Sequence, residues 1–309
     1  METLHTLGER EVVTRIRKEL RRPKTVKTQM EEDAEIFSMK GTLVVNTEMN
    51  CAGTHFRNKD PRAIGIRIVT STITDLLAKG ALPKYFFTSI GVSRNNRFKA
   101  IRQLYASMDK ELKKYNAFLI GGDTTEARDL VICSTAIGTT KKPLLRSGAK
   151  TGDKVVLTGE IGNGALGYLM AKNGLKKPKK FLRAQFEPTI DFGLCKKLMK
   201  KANAGIDVSD GLAYQLAEVA KQSDKKIVID EKRLPIDPML PQFCKENWFK
   251  KEEVVFHLGD DYEVVYTMPK EPKLGYTIGE VQKGEGLFIK RLNGKVEPLE
   301  GRGWESFSH

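Results

Sequence analysis

The stretch LVVNTEMNCAGTHFRNKDPRAIGIRIVTSTITDLLAKGALPKYFFTSIGV, residues 43–92, decides the fold. Its two ends, LVVNTEM (43–49) and YFFTSIGV (85–92), are rich in β-branched and aromatic residues and read as strands. The run from Ile64 to Lys79 between them reads as a helix stopped by Gly80 and Pro83. Strand, helix and strand in that order form the repeating unit of an α/β domain.

Toward the N-terminus, Val12, Val13, Ile16 and Leu20 recur at helical spacing, with basic residues crowding the C-terminal half where the helix dipole favours them. An amphipathic helix over 8–20 is expected. Toward the C-terminus, Ile101, Leu104, Tyr105, Met108 and Leu112 share one face of a helix expected from Arg97 to Lys114. The strands AFLI (117–120) and LVICSTAIGT (130–139) then complete a first α/β domain.

KKPLLRSGAKTGDK (141–154) mixes proline, glycine and charge, which marks a surface connection. The break falls near Arg146, giving domains over 1–146 and 147–309. Beyond it, KVVLTG (154–159), helices near 163–172, 189–201 and 211–221, and strands near 226–229, 262–268 and 276–281 describe a second α/β unit. The class is therefore α/β, with α+β character, in two domains.

The 309 residues carry 40% hydrophobic and 30% charged side chains, an ordinary globular balance that excludes disorder. No window approaches the roughly 18 consecutive apolar residues of a membrane span, and METLHTLGEREVV has no signal-peptide core, so a cytoplasmic protein is expected. Cys51, Cys133, Cys195 and Cys244 lack CxxC spacing, which argues against a zinc site or a disulfide framework.

The net charge of +14 suits either nucleic acid or polyanionic small molecules. The densest basic runs, RKELRRPKTVK (17–27) and KNGLKKPKK (172–180), lack the interleaved aromatics of a base-stacking surface and read as solvated faces.

The chemistry lies in acidic residues at strand ends or beside glycines: Asp33, Glu48, Asp75, Asp123 in GGDTT, and Asp207 with Asp210 in IDVSDG. Singly, each reads as a cap or turn residue. Brought together they would repel one another unless cations neutralised them, and oxygen-only ligands suit Mg²⁺ bound to phosphates. In GGDTT and DVSDGL, small neighbours let backbone amides approach a phosphate, while Thr124 and Ser209 offer hydroxyls.

GNGALG (162–167) fits GxGxxG directly after a strand. A dinucleotide site also needs a second strand ending in an acid about 20 residues on, where this chain instead runs through KNGLKKPKKFLRAQF. GxxxxGK(S/T) and the protein-kinase HRD and DFG pair are absent too. Any ATP must then be held through acids and metals.

EEDAEIF, VVNTEMNCAGTHF, TDLLAKGALP, LIGGDTT, LLRSGAKTGD, TGEIGNGALG, AGIDVSDGL, LGDDYEV and GWESF occur in the order seen in thiamine-monophosphate kinases, and the chain resembles that family over nearly its whole length. The resemblance implies the PurM-like, AIR-synthase-like ATP-binding superfamily: an N-terminal α/β domain dimerising through a shared β-barrel, and a C-terminal α/β domain. It implies ATP as co-substrate, several Mg²⁺ ions, thiamine monophosphate as acceptor and a homodimer.

On the matching positions, Asp33, Asn46, Thr47, Glu48, Asp75, Asp123, Asp207 and Asp210 resemble the magnesium ligands. Gly122, Asp123, Arg146 and Ser209 resemble the ATP contacts, and His55, Asp260 and Trp304 the acceptor contacts. Asp123, Asp210 and Arg146 are the residues expected to act in transfer. The chain departs from the family at Glu32, Asn46, Glu48, Thr72 and Asp260. Two alternatives stay open: another small acceptor within the superfamily, and a nucleic-acid-binding protein with a decayed nucleotide site.

Overall fold

The computed structural model describes residues 2–28, 34–55, 57 and 60–305. The helices are α1 (Leu4–Leu7), α2 (Glu9–Glu19), α3 (Pro61–Ala78), α4 (Phe98–Lys114), α5 (Asn163–Lys172), α6 (Lys179–Phe186), α7 (Phe192–Leu198), α8 (Leu212–Ser223) and α9 (Leu240–Glu246). The strands are β1 (Thr42–Cys51), β2 (Leu82–Val92), β3 (Phe118–Glu126), β4 (Val131–Thr140), β5 (Lys154–Leu157) and β6 (Ala204–Val208). They continue with β7 (Lys226–Asp230), β8 (Glu263–Met268), β9 (Tyr276–Gln282), β10 (Gly286–Lys290) and β11 (Val296–Pro298).

The chain divides into two compact units, one of Met1–Leu76 with Ala81–Lys141, the other of Leu77–Gly80 with Lys142–His309. The end of α3 thus belongs to the second unit: Tyr266 donates its hydroxyl to the Leu77 carbonyl at 2.8 Å, and Lys79 Nζ donates to the Gly205 carbonyl at 2.9 Å.

In the first unit four strands run in the order β1, β4, β2, β3, with β2 and β3 parallel and the other pairs antiparallel. Alternation dictates the faces. Ile132, Ser134 and Ala136 of β4 are buried, as are Phe86, Thr88 and Ile90 of β2, while Cys133, Thr135 and Ser89 between them are not. Among the described residues the sheet is open, with β1 and β3 as its edges, so these four strands of one chain do not close the barrel that the resemblance implies.

GGDTT is not the turn that its glycines suggest. β3 continues through it to Glu126, pairing with β2 across a register shift at Phe86 and Phe87. Gly122 makes this possible: at φ 153° it lies so close to Thr88 that a Cβ would stand 1.8 Å from the Thr88 carbonyl oxygen.

The second unit holds a seven-stranded mixed sheet in the order β11, β10, β7, β9, β5, β8, β6. Its core gathers Val155, Leu157, Leu166, Phe181, Ile206, Leu216, Ile229 and Val265. The helix expected over 189–201 is shorter, at Phe192–Leu198. Sequence patterning missed α1, β6, β10, β11, α6 and α9, all of eight residues or fewer, because such short elements carry too few repeats of a period to be read.

Candidate active site

In the first unit the residues from β1 and α3 meet. Asn46, Glu48 and Asn50 alternate onto the α3 side of β1. Asn46 Nδ2 donates to Asp75 Oδ2 at 2.6 Å, and the Ser71 hydroxyl donates to Glu48 Oε2 at 2.7 Å. Thr72 links the group inward, with its hydroxyl 2.8 Å from that of Ser134. Asp75 lies one turn after Ser71 and Thr72 on α3, so the three share a face.

Thr47 cannot join them through its side chain. One place along the strand, it turns to the opposite face and pairs with the Thr135 hydroxyl at 2.9 Å. Asp123 is also on that opposite face: it registers with Ser89, whereas Gly122 registers with buried Thr88. Its Oδ1 accepts the Thr124 N–H at 2.8 Å and the residue is exposed. Three inter-strand spacings, roughly 14 Å, separate β3 from β1, so no single ion spans Asp123 and Glu48.

Just beyond β1, His55 Nδ1 accepts the Cys51 N–H at 3.0 Å, which puts the neutral ring's proton on Nε2. Asp33 lies outside the described residues. Among the described residues no three His, Cys, Asp or Glu side chains are grouped to hold one metal ion. The oxygen-only donors Glu48, Asp75, Ser71 and Thr72 fit a hard cation such as Mg²⁺ nonetheless.

The second unit builds its own cradle from two backbone segments pressed together. Asp260 donates its N–H to the Ser209 carbonyl at 2.8 Å, and Tyr262 donates to the Val208 carbonyl at 3.0 Å. Only glycine allows this approach: a Cβ on Gly259, at φ 71°, would stand 2.0 Å from the Ser209 oxygen. Ser209 and Asp210 thus sit between β6 and the N-terminus of α8, where Gln215 Nε2 donates to Ser209 Oγ at 3.2 Å and Asp210 Oδ2 at 3.4 Å.

Asp207 is buried at the end of β6. Burial pushes its carboxyl above the usual carboxylate range, against the opposing pull of the Ser209 hydroxyl and of Lys79 and Arg146. Arg146 opens a single 3-10 turn whose carbonyl accepts the Ser223 hydroxyl at 2.8 Å. Lys79 stands in TDLLAKGALP, but nothing in that run marks it as a neighbour of Asp207, and only its packing within the second unit reveals that influence.

The C-terminal strap completes the cradle. Trp304 donates its N–H to the Asp210 carbonyl at 2.8 Å and meets Tyr168 edge to face, with ring centroids 6.0 Å apart. Gln185 of α6 donates to Asp260 Oδ2 at 3.2 Å. Neither Tyr168 nor Gln185 was legible as a site residue.

The GxGxxG lure resolves here. Asp261 Oδ2 accepts the Gly162 N–H at 2.7 Å and Oδ1 accepts the Gly164 N–H at 2.8 Å. The amides that would cradle a dinucleotide phosphate are taken by the protein's own carboxylate. Burial raises the Asp261 carboxyl to about 7, and raises the neighbouring Glu263, hydrogen bonded to the Thr158 hydroxyl, to about 8.

Residues 31–140 match the N-terminal domain, and residues 150–290 the C-terminal domain, of AIR synthase related proteins. The class is therefore that of the two-domain AIR synthase related proteins. Within it, a thiamine-monophosphate kinase of Pyrococcus horikoshii is 38% identical over 79% of this chain and 79% of its own. A thiamine-monophosphate kinase of Aquifex aeolicus is 29% identical over 86% of this chain and 88% of its own. The solved structure of AaThiL complexed with AMPPCP and TMP superposes with a TM-score of 0.78 at 26% identity, covering 99% of both chains. The chain belongs to the thiamine-monophosphate kinase family.

Proposed function

We infer that the chain transfers the terminal phosphate of ATP directly onto the phosphate of thiamine monophosphate, giving thiamine diphosphate and ADP. The observation that carries this reading is the order along one cradle in the second unit. Asp260 hangs on Ser209 and Trp304 on Asp210, each through a backbone hydrogen bond of 2.8 Å. An acid and an indole suited to a cationic heteroaromatic ring therefore flank a hydroxyl and a carboxylate suited to phosphate chemistry. The AaThiL complex holds AMPPCP and TMP together, which supports the same pairing of ligands here.

Arg146 can fork two hydrogen bonds onto phosphate oxygens and offset charge that grows during transfer. In the first unit Gly122 offers a backbone amide to ATP and His55 offers Nε2–H to the acceptor phosphate; in the second unit Ser209 offers a hydroxyl suited to ATP. The acceptor oxygen is already ionised, so no strong general base is required. Mg²⁺ ions held by Asn46, Glu48, Asp75 and Asp123 in the first unit, and by Asp207 and Asp210 in the second, would neutralise phosphate charge; Asp33 and, through its backbone carbonyl and not its side chain, Thr47 complete the first unit's set by family position. Residues 1–146 and 147–309 serve as the N- and C-terminal AIR-synthase-like domains.

We further infer a homodimer, supported by the exposed apolar side chains Leu43, Val45 and Met49 on the outer face of edge strand β1. A cytoplasmic setting accords with four free cysteines. Among the described residues no helix is long and apolar enough to cross a membrane.

Incubation with ATP, Mg²⁺ and thiamine monophosphate tests the reaction by phosphorus NMR. The expected products are ADP and thiamine diphosphate. ADP with free phosphate and no diphosphate ester would overturn the assignment in favour of a different acceptor.

A further inference from the structure

The amides of Gly162 and Gly164 in GNGALG are buried and already bonded, and what they hold is the loop that carries Asp260. That loop is awkward for its sequence. Asp260 and Tyr262 both adopt left-handed backbone angles, at φ 67° and 54°, a conformation that non-glycine residues take up only when their surroundings enforce it.

Two sets of contacts enforce it. From one side, the N–H groups of Asp260 and Tyr262 bond to Ser209 and Val208. From the other, Asp261, the residue between them, sends its carboxylate to the first turn of α5 and takes the N–H groups of Gly162 and Gly164 at 2.7 and 2.8 Å. These partners lie 99 and 97 positions away in sequence. The contact is close enough that a Cβ on Gly164 would stand 2.0 Å from the Asp260 carbonyl oxygen. The helix dipole adds to the hold, since α5 is ten residues long and presents its N-terminus to the carboxylate. With its neighbour locked, the Asp260 side chain is left facing Gln185, which donates to Oδ2 at 3.2 Å.

We propose that Asp261, seated in the amide socket of the GNGALG turn, is a positioning residue that presets Asp260 for the cationic acceptor. The glycine-rich turn is thus an internal carboxylate receptor serving acceptor recognition. This proposal rests on the reading of the chain as a kinase of thiamine monophosphate. It explains why the loop tolerates two left-handed residues: the geometry is held ready before the acceptor arrives, so binding need not order it.

The test is a double-mutant cycle on the full chain, assayed with ATP, Mg²⁺ and thiamine monophosphate. Asp261→Asn keeps the shape but has one acceptor oxygen, so one of the two amides loses its partner. The expected result is a rise of about tenfold in KM for thiamine monophosphate, with KM for ATP changed by less than about twofold. In an Asp260→Ala background the same substitution should add less than about twofold, because its effect passes through Asp260. Equal rises in both KM values, or a tenfold effect that survives in the Asp260→Ala background, would overturn the proposal. Should Asp261→Asn fail to fold by circular dichroism, Asp261→Ser keeps one oxygen acceptor in a smaller side chain and is read in the same cycle. A wild type that makes no thiamine diphosphate overturns the substrate reading and this proposal with it. An active wild type without coupling overturns this proposal alone.

Discussion

Trp304 donates its backbone N–H to the carbonyl of Asp210 at 2.8 Å, fastening the C-terminal strap to the loop before α8. The strap is anchored at further points. His257 Nδ1 lies 3.0 Å from the Arg302 carbonyl oxygen, and the Arg302 guanidinium forms an ion pair with Glu253. Gly303 lies against Asp210 and Tyr214, where a Cβ would meet the Asp210 oxygen at 2.3 Å. The indole is consequently delivered to a fixed place beside Tyr168.

Trp304→Ala should therefore act on the acceptor and not on ATP. Because Trp304 is only half-buried, the loss of its contact with Tyr168 should cost about 1 kcal/mol of stability. KM for thiamine monophosphate should rise about tenfold while KM for ATP holds. Steady-state kinetics with each substrate varied in turn checks this, and an equal rise in both would count against it.

Asp123→Asn and Asp210→Asn should each lower turnover by about a hundredfold or more. Asp123 is exposed, so its substitution should leave urea unfolding within about 0.5 kcal/mol of the wild type. Full activity in both variants would remove the assignment of these carboxylates to the phosphates and their metals.

Asn46→Asp sets a second carboxylate where an amide nitrogen now stands 2.6 Å from Asp75 Oδ2. Without divalent cations the variant should melt below the wild type, losing a hydrogen bond worth about 1 kcal/mol and gaining repulsion. Mg²⁺ should recover that loss and raise its melting temperature by more than it raises the wild type's. A variant indifferent to Mg²⁺ would show that β1 and α3 do not form a cation site.

Glu263 and Asp261 make stability depend on pH. Burial raises Glu263 to about 8, with Asp261, Asp191 and Glu160 pushing the same way and the Thr158 hydroxyl opposing. In the unfolded chain both acids ionise near about 4. Between those values the folded state binds more protons than the unfolded one, so stability is greatest at the acid end and falls as pH rises toward about 8. Glu263→Gln should flatten that decline in melts taken from about pH 5 to about pH 8. An unchanged slope would show that Glu263 is not its source.

Gly122→Ala should destabilise the first unit by about 3 kcal/mol or more, because the new Cβ would stand 1.8 Å from the Thr88 oxygen at a backbone angle of φ 153°. Chemical denaturation checks the loss. Near-native stability would mean that β2 and β3 can part at this point without cost.

Much of this was legible in the chain. LVVNTEM was legible as a strand, although Thr47, grouped there with Asn46 and Glu48, is turned by the strand's alternation to the other face, and the apolar face of 97–114 became α4 with Ile101, Leu104, Met108 and Leu112 buried. The glycines of GGDTT were legible as a site of close approach but not as part of a strand, since strand propensity counts glycine against pairing. AGIDV was legible only as the start of a motif, although all five residues are buried in β6.

What the sequence by itself determined is the class, the family and the segments that carry the acids, because periodicity and motif spacing are local properties that survive without knowledge of distant contacts. Only the tertiary structure decided which groups meet: Asn46 with Asp75, Lys79 with Gly205, Gln185 with Asp260, and Asp261 with the amides of the glycine-rich turn. Those partners stand 29 to 126 positions apart. Such pairings depend on how two segments pack, and packing is set by the shape of the whole core, which no short window of residues contains.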